Sequence, residues 1–277
     1  AFGESAESVK QLEIAAKAAK AGNATTTDSV NMLSAVTKGY GDTSAAALQK
    51  ASDLAFLTVK LGQTSFPELA SSMGQVVPLA ATMKVSQEEL FGAMATLTGV
   101  TGGTAEVTTQ LRATMQEFLS PSSQMEKALK KMGYTSGAAA LESEGLGGIL
   151  TKLKESVKGD EVAFANLFSS IESKNAVLAL TGAQADAFAE KTAAMGEAAG
   201  ATDRAFNIQT NSVSAMASKL KNAGSVMLTS LGEKALPYVQ DAMQGLIDRM
   251  PAITETLGGM IERAGPMFGV MASGISH

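Results

Sequence analysis

Residues 65–103 read SFPELASSMGQVVPLAATMKVSQEELFGAMATLTGVTGG, and the pattern is stated twice. Ser65-Phe66-Pro67-Glu68-Leu69 is echoed by Ser86-Gln87-Glu88-Glu89-Leu90, and Met73 by Met94, each 21 positions later. In both copies a serine stands three residues before a glutamate at the head of an apolar run. That is the capping-box arrangement: the serine hydroxyl accepts the N–H of the third helical residue, whose carboxylate reaches back to the serine N–H. Val85 and Leu90 hold the positions of a hydrophobic staple. Pro67 falls in a first helical turn, where its missing N–H costs nothing. Pro78 falls inside the helix, removes the bond to the Gly74 carbonyl and predicts a bend. The stretch is read as two short helices, turned back on each other at Lys84-Val85 and closed by Thr101-Gly102-Gly103.

The same punctuation extends in both directions. Residues 4–21 predict a helix with Val9, Leu12, Ala16 and Ala19 on one face and a Glu13–Lys17 pair at i,i+4, ended by Gly22-Asn23. Thr25 with Asp28 opens a helix that Gly39 to Gly41 ends, and a third runs from about Ser44 to Leu61 before Gly62. After Thr101–Thr104, Val107, Leu111, Met115 and Phe118 share one face up to Ser120-Pro121. SSQMEKALKKMG (122–133), GLGGILTKLKESV (145–157) and EVAFANLFSSIESKNAVLAL (161–180) predict one helix each. From Ala183 to about Leu231 the pattern is Ala-rich and only weakly amphipathic, which predicts extended, coiled-coil-like helices without clean heptads. Pro237, Pro251 and Pro266 then punctuate short amphipathic helices such as YVQDAMQGLIDRM (238–250) and AITETLGGMIERAG (252–265). No strand is expected, so the fold class is all-α.

Composition narrows the chemistry. The chain has 277 residues, 45% apolar and 18% charged, with 5% aromatics, no tryptophan and a net charge of −5. Apolar area from Ala and Met buries little per residue, but small side chains let helices approach closely; thin helical layers follow. Lys and Arg form no run, which argues against a sequence-independent grip on nucleic acid. There is no cysteine, and the single histidine is His277, so disulfides, Cys-ligated zinc and Ser-His triads are out of reach. No signal-peptide pattern opens the chain and no long uncharged apolar run appears. The start at Ala1, inside helical sequence, is read as a segment of a longer polypeptide.

Four features invite a chemical reading, and each has a simpler one. GGTAEVTTQLR (102–112) resembles a Gly-rich loop before a helix, but lacks the Lys and Ser/Thr of a P-loop; a turn plus cap suffices. Glu88 and Glu89 suit the positive end of a helix dipole better than a catalytic pair, and Glu142 with Glu144 is read as a solvated loop. Met73, Met83, Met94, Met115, Met125 and Met132 lie at helical spacing and are read as core, with a partner-binding surface the alternative. The C-terminal helices carry acidic or balanced polar faces (Asp241, Asp248 with Arg249, Glu255, Glu262 with Arg263), which favours self-association over a membrane surface. No catalytic, cofactor-binding or metal residue is assigned, and no cofactor.

The ordered series of motifs resembles the core region of phage tail tape-measure proteins, the phage-related minor tail family. It runs from AFGESAESVKQLEIAAKAA (1–19) through the strongest block, residues 66–134, to LGGILTKLKE (146–155) and FANLFSSIESKNAVLAL (164–180). It closes with SVSAMASKLKNAGSVMLTSLGEKALPYV (212–239). The resemblance implies a structural, non-enzymatic virion protein that sets tail length during assembly and leaves at infection to assist DNA passage across the host envelope. It implies a place in the lumen of the tail tube, after assembly in the host cytoplasm. The implied partners are further copies of itself (three or six), the tail tube protein, tail tip or baseplate proteins and tail assembly chaperones, with host membrane contact at ejection and no specific nucleic acid.

Three regions are expected: an N-terminal helix (1–24) continuing from an upstream helical region, a compact helical module (25–182), and an extended helical region (183–277). The rival readings are a helical scaffold or interaction module of a tail-like bacteriocin or injection system, and a carboxylate-dependent cell-wall hydrolase. The second lacks any carboxylate pair placed by more than a helix cap.

Overall fold

In the computed structural model the described residues are 6–212, together with Met216, Gln244, Gly245 and Asp248. The fold is all-α. Twelve helices and no strand occur among the described residues: α1 Ala6–Gly22, α2 Thr26–Gly39, α3 Ala45–Leu61, α4 Phe66–Thr82, α5 Gln87–Leu97 and α6 Thr104–Leu119, then α7 Ser123–Lys131, α8 Gly137–Ser156, α9 Glu161–Ala165, α10 Ile171–Thr181, α11 Ala185–Met195 and α12 Ala201–Asn211. The Ala-rich pattern beyond Ser212 and the helices expected around Pro237, Pro251 and Pro266 lie outside the described residues.

The punctuation read from the sequence is physically present. Thr25, Ser44, Ser65 and Ser86 each accept a backbone N–H at the head of the following helix, and the structure adds the same cap at Ser122, Ser136 and Ser170. Helix ends are equally marked. Asn23, Gly41, Lys84, Gly133 and Lys158 all have positive φ. The next residue's N–H reaches back across each of them, as in Val85 N–H to the Ala80 carbonyl at 3.0 Å. This is the Schellman closure, made three times by a residue other than glycine.

α4 continues through Pro78 as one helix from Phe66 to Thr82. Gly74, whose carbonyl loses its bond there, and Pro78 itself are both exposed, so water can serve the orphaned acceptor. The expected hairpin of α4 on α5 does not form. α4 packs chiefly on α2 and α6, whereas α5 packs on α11 and α3. The positive-φ Lys84 ends α4 and sends the chain into a different layer.

One core threads these layers. Met73, Met83, Met94, Met115 and Met125 are fully buried in it, and Met132 is half-buried against it. The aromatic residues form two clusters: Phe56 stacks on Phe66 at 4.9 Å, and Phe168 packs edge-on to Phe164 at 5.5 Å and to the more distant Phe118 at 6.2 Å.

Four local expectations are corrected. In α1 the core face is Ala15, Ala18 and Ala19 with Gln11, while Val9 (68% exposed) and Leu12 (51%) face solvent, as does Ala16. α1 lies against α2, α3 and α12, and alanine permits three such close neighbours where larger side chains would not. Lys17 pairs with Asp203 at 2.6 Å and lies over the Phe206 ring rather than bonding Glu13. EVAFANLFSSIESKNAVLAL is two helices, α9 and α10, separated at Leu167–Ser170, because Ser170 starts a new cap. Glu142 and Glu144 belong to α8, not to a loop.

The regions beyond residue 182 also differ from the expected extended form as far as they are described. α11 packs on α5, and α12 on α1 and α3, and the compact unit reaches Ser212. α11 docks where the opening stretch contains Gly92. A Cβ there would meet Thr192 Oγ1 and lie 3.0 Å from Thr192 Cα, so the absent side chain sets the distance between the helices.

Candidate functional site

Four acids and two cations of this unit reach helix ends that belong to other helices. Asp53 is the clearest case. It lies in the middle of α3, is 4% exposed, and its carboxylate accepts from Gly200 N–H at 3.0 Å and Thr202 N–H at 2.8 Å. α12 starts on Gly200, which has positive φ and no side chain to cap the helix. Asp53 therefore supplies from 147 residues away what a serine or aspartate at position 200 would supply locally. Thr202 and Ser52 share a hydroxyl hydrogen bond at 2.8 Å beside it.

Three more carboxylates act in the same way. Glu117 in α6 is 8% exposed and accepts from Ser169 N–H (2.7 Å) and Ser170 N–H (2.9 Å) at the head of α10. Glu7 in α1 accepts from Ala45 N–H at 2.6 Å, at the head of α3. Glu89 departs from the expected second capping box. Ser86 does accept from Glu89 N–H at 3.2 Å, but the Glu89 carboxylate turns outward and accepts from Gly147 N–H at 3.2 Å. The reason is the break in α8. Gly145 takes φ 71°, ψ 174°, which restarts the helix and exposes new N–H groups. Its neighbour Glu88 pairs with Lys50 of α3 at 2.7 Å.

Cations serve the opposite ends. Lys154 donates to the Thr181 carbonyl at 2.7 Å, at the last residue of α10. Lys191 donates to the Ala95 carbonyl at 2.9 Å in the last turn of α5, and desolvation there lowers its pKa. Negative groups at helix N-termini and positive groups at C-termini oppose the helix dipole charges. Each pair here also ties together elements far apart in sequence.

The first capping box is complete and gathers further donors. Glu68 accepts from Ser65 N–H at 3.0 Å and from the Thr104 hydroxyl at 3.1 Å, at the first residue of α6. These hydrogen bonds, the Ser65 N–H first, hold its pKa below the ordinary 4.5. A carboxylate thus occupies the first turn of the helix that GGTAEVTTQLR leads into. Glu144 is engaged by Lys152 (2.8 Å) and the Tyr134 hydroxyl (2.5 Å), which lower its pKa in that order. Tyr40 has its hydroxyl buried, and burial, then the charges of Glu88 and Glu89, push its pKa up.

A cavity of about 470 Å³ opens beside the α1–α3–α12 contact, lined by Phe56, Val59, Phe66, Ala205 and Ile208 with Lys60 and Arg204 at its polar edge. Among the described residues no group of three or more His, Cys, Asp or Glu side chains is placed to hold a metal ion. Among them, too, no helix is long and apolar enough to cross a membrane.

Sequence reading locates the local caps and misses the long-range ones. Asp53 and Glu117 leave a faint signal: each is an acid directly followed by large apolar residues within a helix, in KASDLAFL (50–57) and MQEFL (115–119). Which N–H groups they serve is decided only by the packing.

The family model described as phage-related minor tail protein matches residues 3–171, more than half of the chain. No curated protein and no solved structure matches it. The matched span carries helices α1 to α9, most of them with a side-chain cap, and the cross-helix latches of Glu7, Glu89 and Glu117. With an all-α unit built on those residues, the chain belongs to the phage-related minor tail protein family.

Proposed function

We propose that this chain is part of a tail tape-measure protein, and that residues 6–212 are a folded module at one end of the tail rather than a stretch of the ruler. The supporting observation is that the family match falls on a compact helical unit. A chain of this length written as one helix would span roughly 300 Å. Folded, it measures only about 40 Å across. A ruler needs the first number, so in this reading the length-setting segment lies outside the unit. The module instead anchors the chain to tail tip or baseplate proteins, while tube protein and chaperones assemble along the remainder within the tube lumen. Release at infection and help with DNA passage complete the proposed role. The segment performs no catalytic step, since its buried carboxylates are engaged as helix caps.

The test is made on assembled tails. A helical insert of about 60 residues between Ser212 and Val213 lengthens a tail by about 90 Å if the chain is the tape measure; unchanged length refutes that role. For the module's position, Lys127→Cys gives an exposed, unique thiol in a chain without cysteine. Gold on that thiol is expected at one end of the tail in cryo-EM images, and label spread along the tube overturns the end placement.

A further inference from the structure

The contacts among α1, α3 and α12 fix their directions. Between α1 and α3, Glu7 meets Ala45 and Gln11 donates to the Thr43 carbonyl, at the start of both helices. At the other end, Gly22 lies against Phe66, which stacks on Phe56. Between α3 and α12, Asp53 meets Gly200 and Thr202, and further along Val59 and Lys60 share a cavity wall with Ile208 and Gln209. Between α1 and α12, Lys17 meets Asp203 and Phe206, and Ala21 and Gly22 line the same cavity as Ala205 and Ile208. In all three pairs residue numbers rise together, so the three helices run parallel. The registers agree as well: position 17 of α1, about 55 of α3 and 203 of α12 lie at one level.

This arrangement has a mechanical consequence. The chain enters the unit at the start of α1 and leaves at the end of α12. Those points are offset along the common axis by about 18 residues of helix, roughly 27 Å. Tension applied through the two flanks pulls α1 and α12 past each other along their length. Every contact between them, and between each and α3, is then loaded at once. In an antiparallel pair both flanks would emerge at the same end, and the same tension would peel the contacts one after another. The polar contacts sit where sliding must break them: Lys17–Asp203 between α1 and α12, Asp53 to Gly200 and Thr202 between α3 and α12, and Glu7 and Gln11 between α1 and α3.

We propose that α1, α3 and α12 form a shear-loaded clamp, which lets this unit sit in line in a chain under tension and stay folded. The proposal is a property of the unit itself and stands whether or not the chain is a tape measure.

The experiment is single-molecule pulling on the full 277-residue chain through introduced thiols, which are unique because the chain has no cysteine. One double variant carries Lys10→Cys and Asn211→Cys and loads the clamp in shear. A second carries Thr26→Cys and Asn211→Cys, handles near the same end of α1 and α12, and peels them apart. All three positions are exposed. At equal loading rate the shear-loaded variant is expected to rupture at about twofold higher force, because forced rupture reports the unfolding barrier along the pulled direction. Adding Asp53→Asn or, should that protein fail to fold, Lys17→Met lowers the shear rupture force towards the peeling one. Equal forces for the two handle pairs, or no loss on breaking the latch, overturn the proposal.

Discussion

Replacing Asp53 by alanine removes the acceptor of two N–H groups in the first turn of α12 and of a Gln49 side-chain donor. Hydrogen bonds to a charged group contribute about 1.5–3 kcal/mol each, and an unsatisfied buried donor costs its desolvation. Thr202 is fully buried, so water cannot replace the lost acceptor at its N–H. Allowing for non-additivity within one cluster, the loss is about 3–5 kcal/mol. That is a large part of the 5–15 kcal/mol or so that holds a typical domain together. With a urea slope of about 2–3 kcal/mol/M, the midpoint falls by roughly 1–2.5 M. Asp53→Asn keeps the shape but turns an N–H₂ towards an N–H, and loses about half as much. Urea titration followed by far-UV circular dichroism measures the shift, and hydrogen exchange locates it. Amides of residues 201–211 lose protection first, while α6, at the centre of the packing, keeps it. A midpoint shift below about 0.3 M with unchanged exchange over 201–211 would refute the assignment of Asp53 as the cap of α12.

Three further outcomes are expected. Gly92→Ala places a methyl group against Thr192, forces α5 and α11 apart and costs about 1–3 kcal/mol; urea titration reads the loss and exchange maps it to 185–195. Lys84→Gly relieves an exposed left-handed residue and raises stability by about 0.5–1 kcal/mol, the difference between the strain of an L-residue there and the extra unfolded-state freedom of glycine; the urea midpoint rises accordingly. The Glu68 carboxylate has its folded pKa depressed, so its contribution is complete above the ordinary 4.5 and is lost as pH falls through the lower folded value. Glu68→Gln therefore flattens the fall in urea midpoint below pH 4.5 and leaves the slope above it unchanged; parallel curves for the two proteins would contradict this.

Residues 65–103 show how far sequence reading extends. Ser65, Ser86, Pro67, the Glu68 bond to Ser65 and the closing Thr101-Gly102-Gly103 act within a turn or two of themselves, and each is legible. The partner of each helix is not. Lys84 reads as the turn of a hairpin, yet α4 and α5 pack into different layers. Apolar spacing shows that a helix has a buried face and leaves open which neighbour it meets. In α1 even the face differs from the expected one, because the alanines at 15, 18 and 19 are buried and the larger Val9 and Leu12 are not.

The sequence by itself determined the all-α class, most helix boundaries and the family, because caps, stops and motif order are local and chemically explicit. Tertiary structure alone decided what the buried charges do. Asp53, Glu117 and Glu89 carry the same carboxylate as any surface acid, and only packing brings N–H groups at the heads of α12, α10 and the second half of α8 within hydrogen-bond reach. It also decided the parallel course of α1, α3 and α12, since direction between helices far apart in sequence depends on contacts that no local pattern encodes.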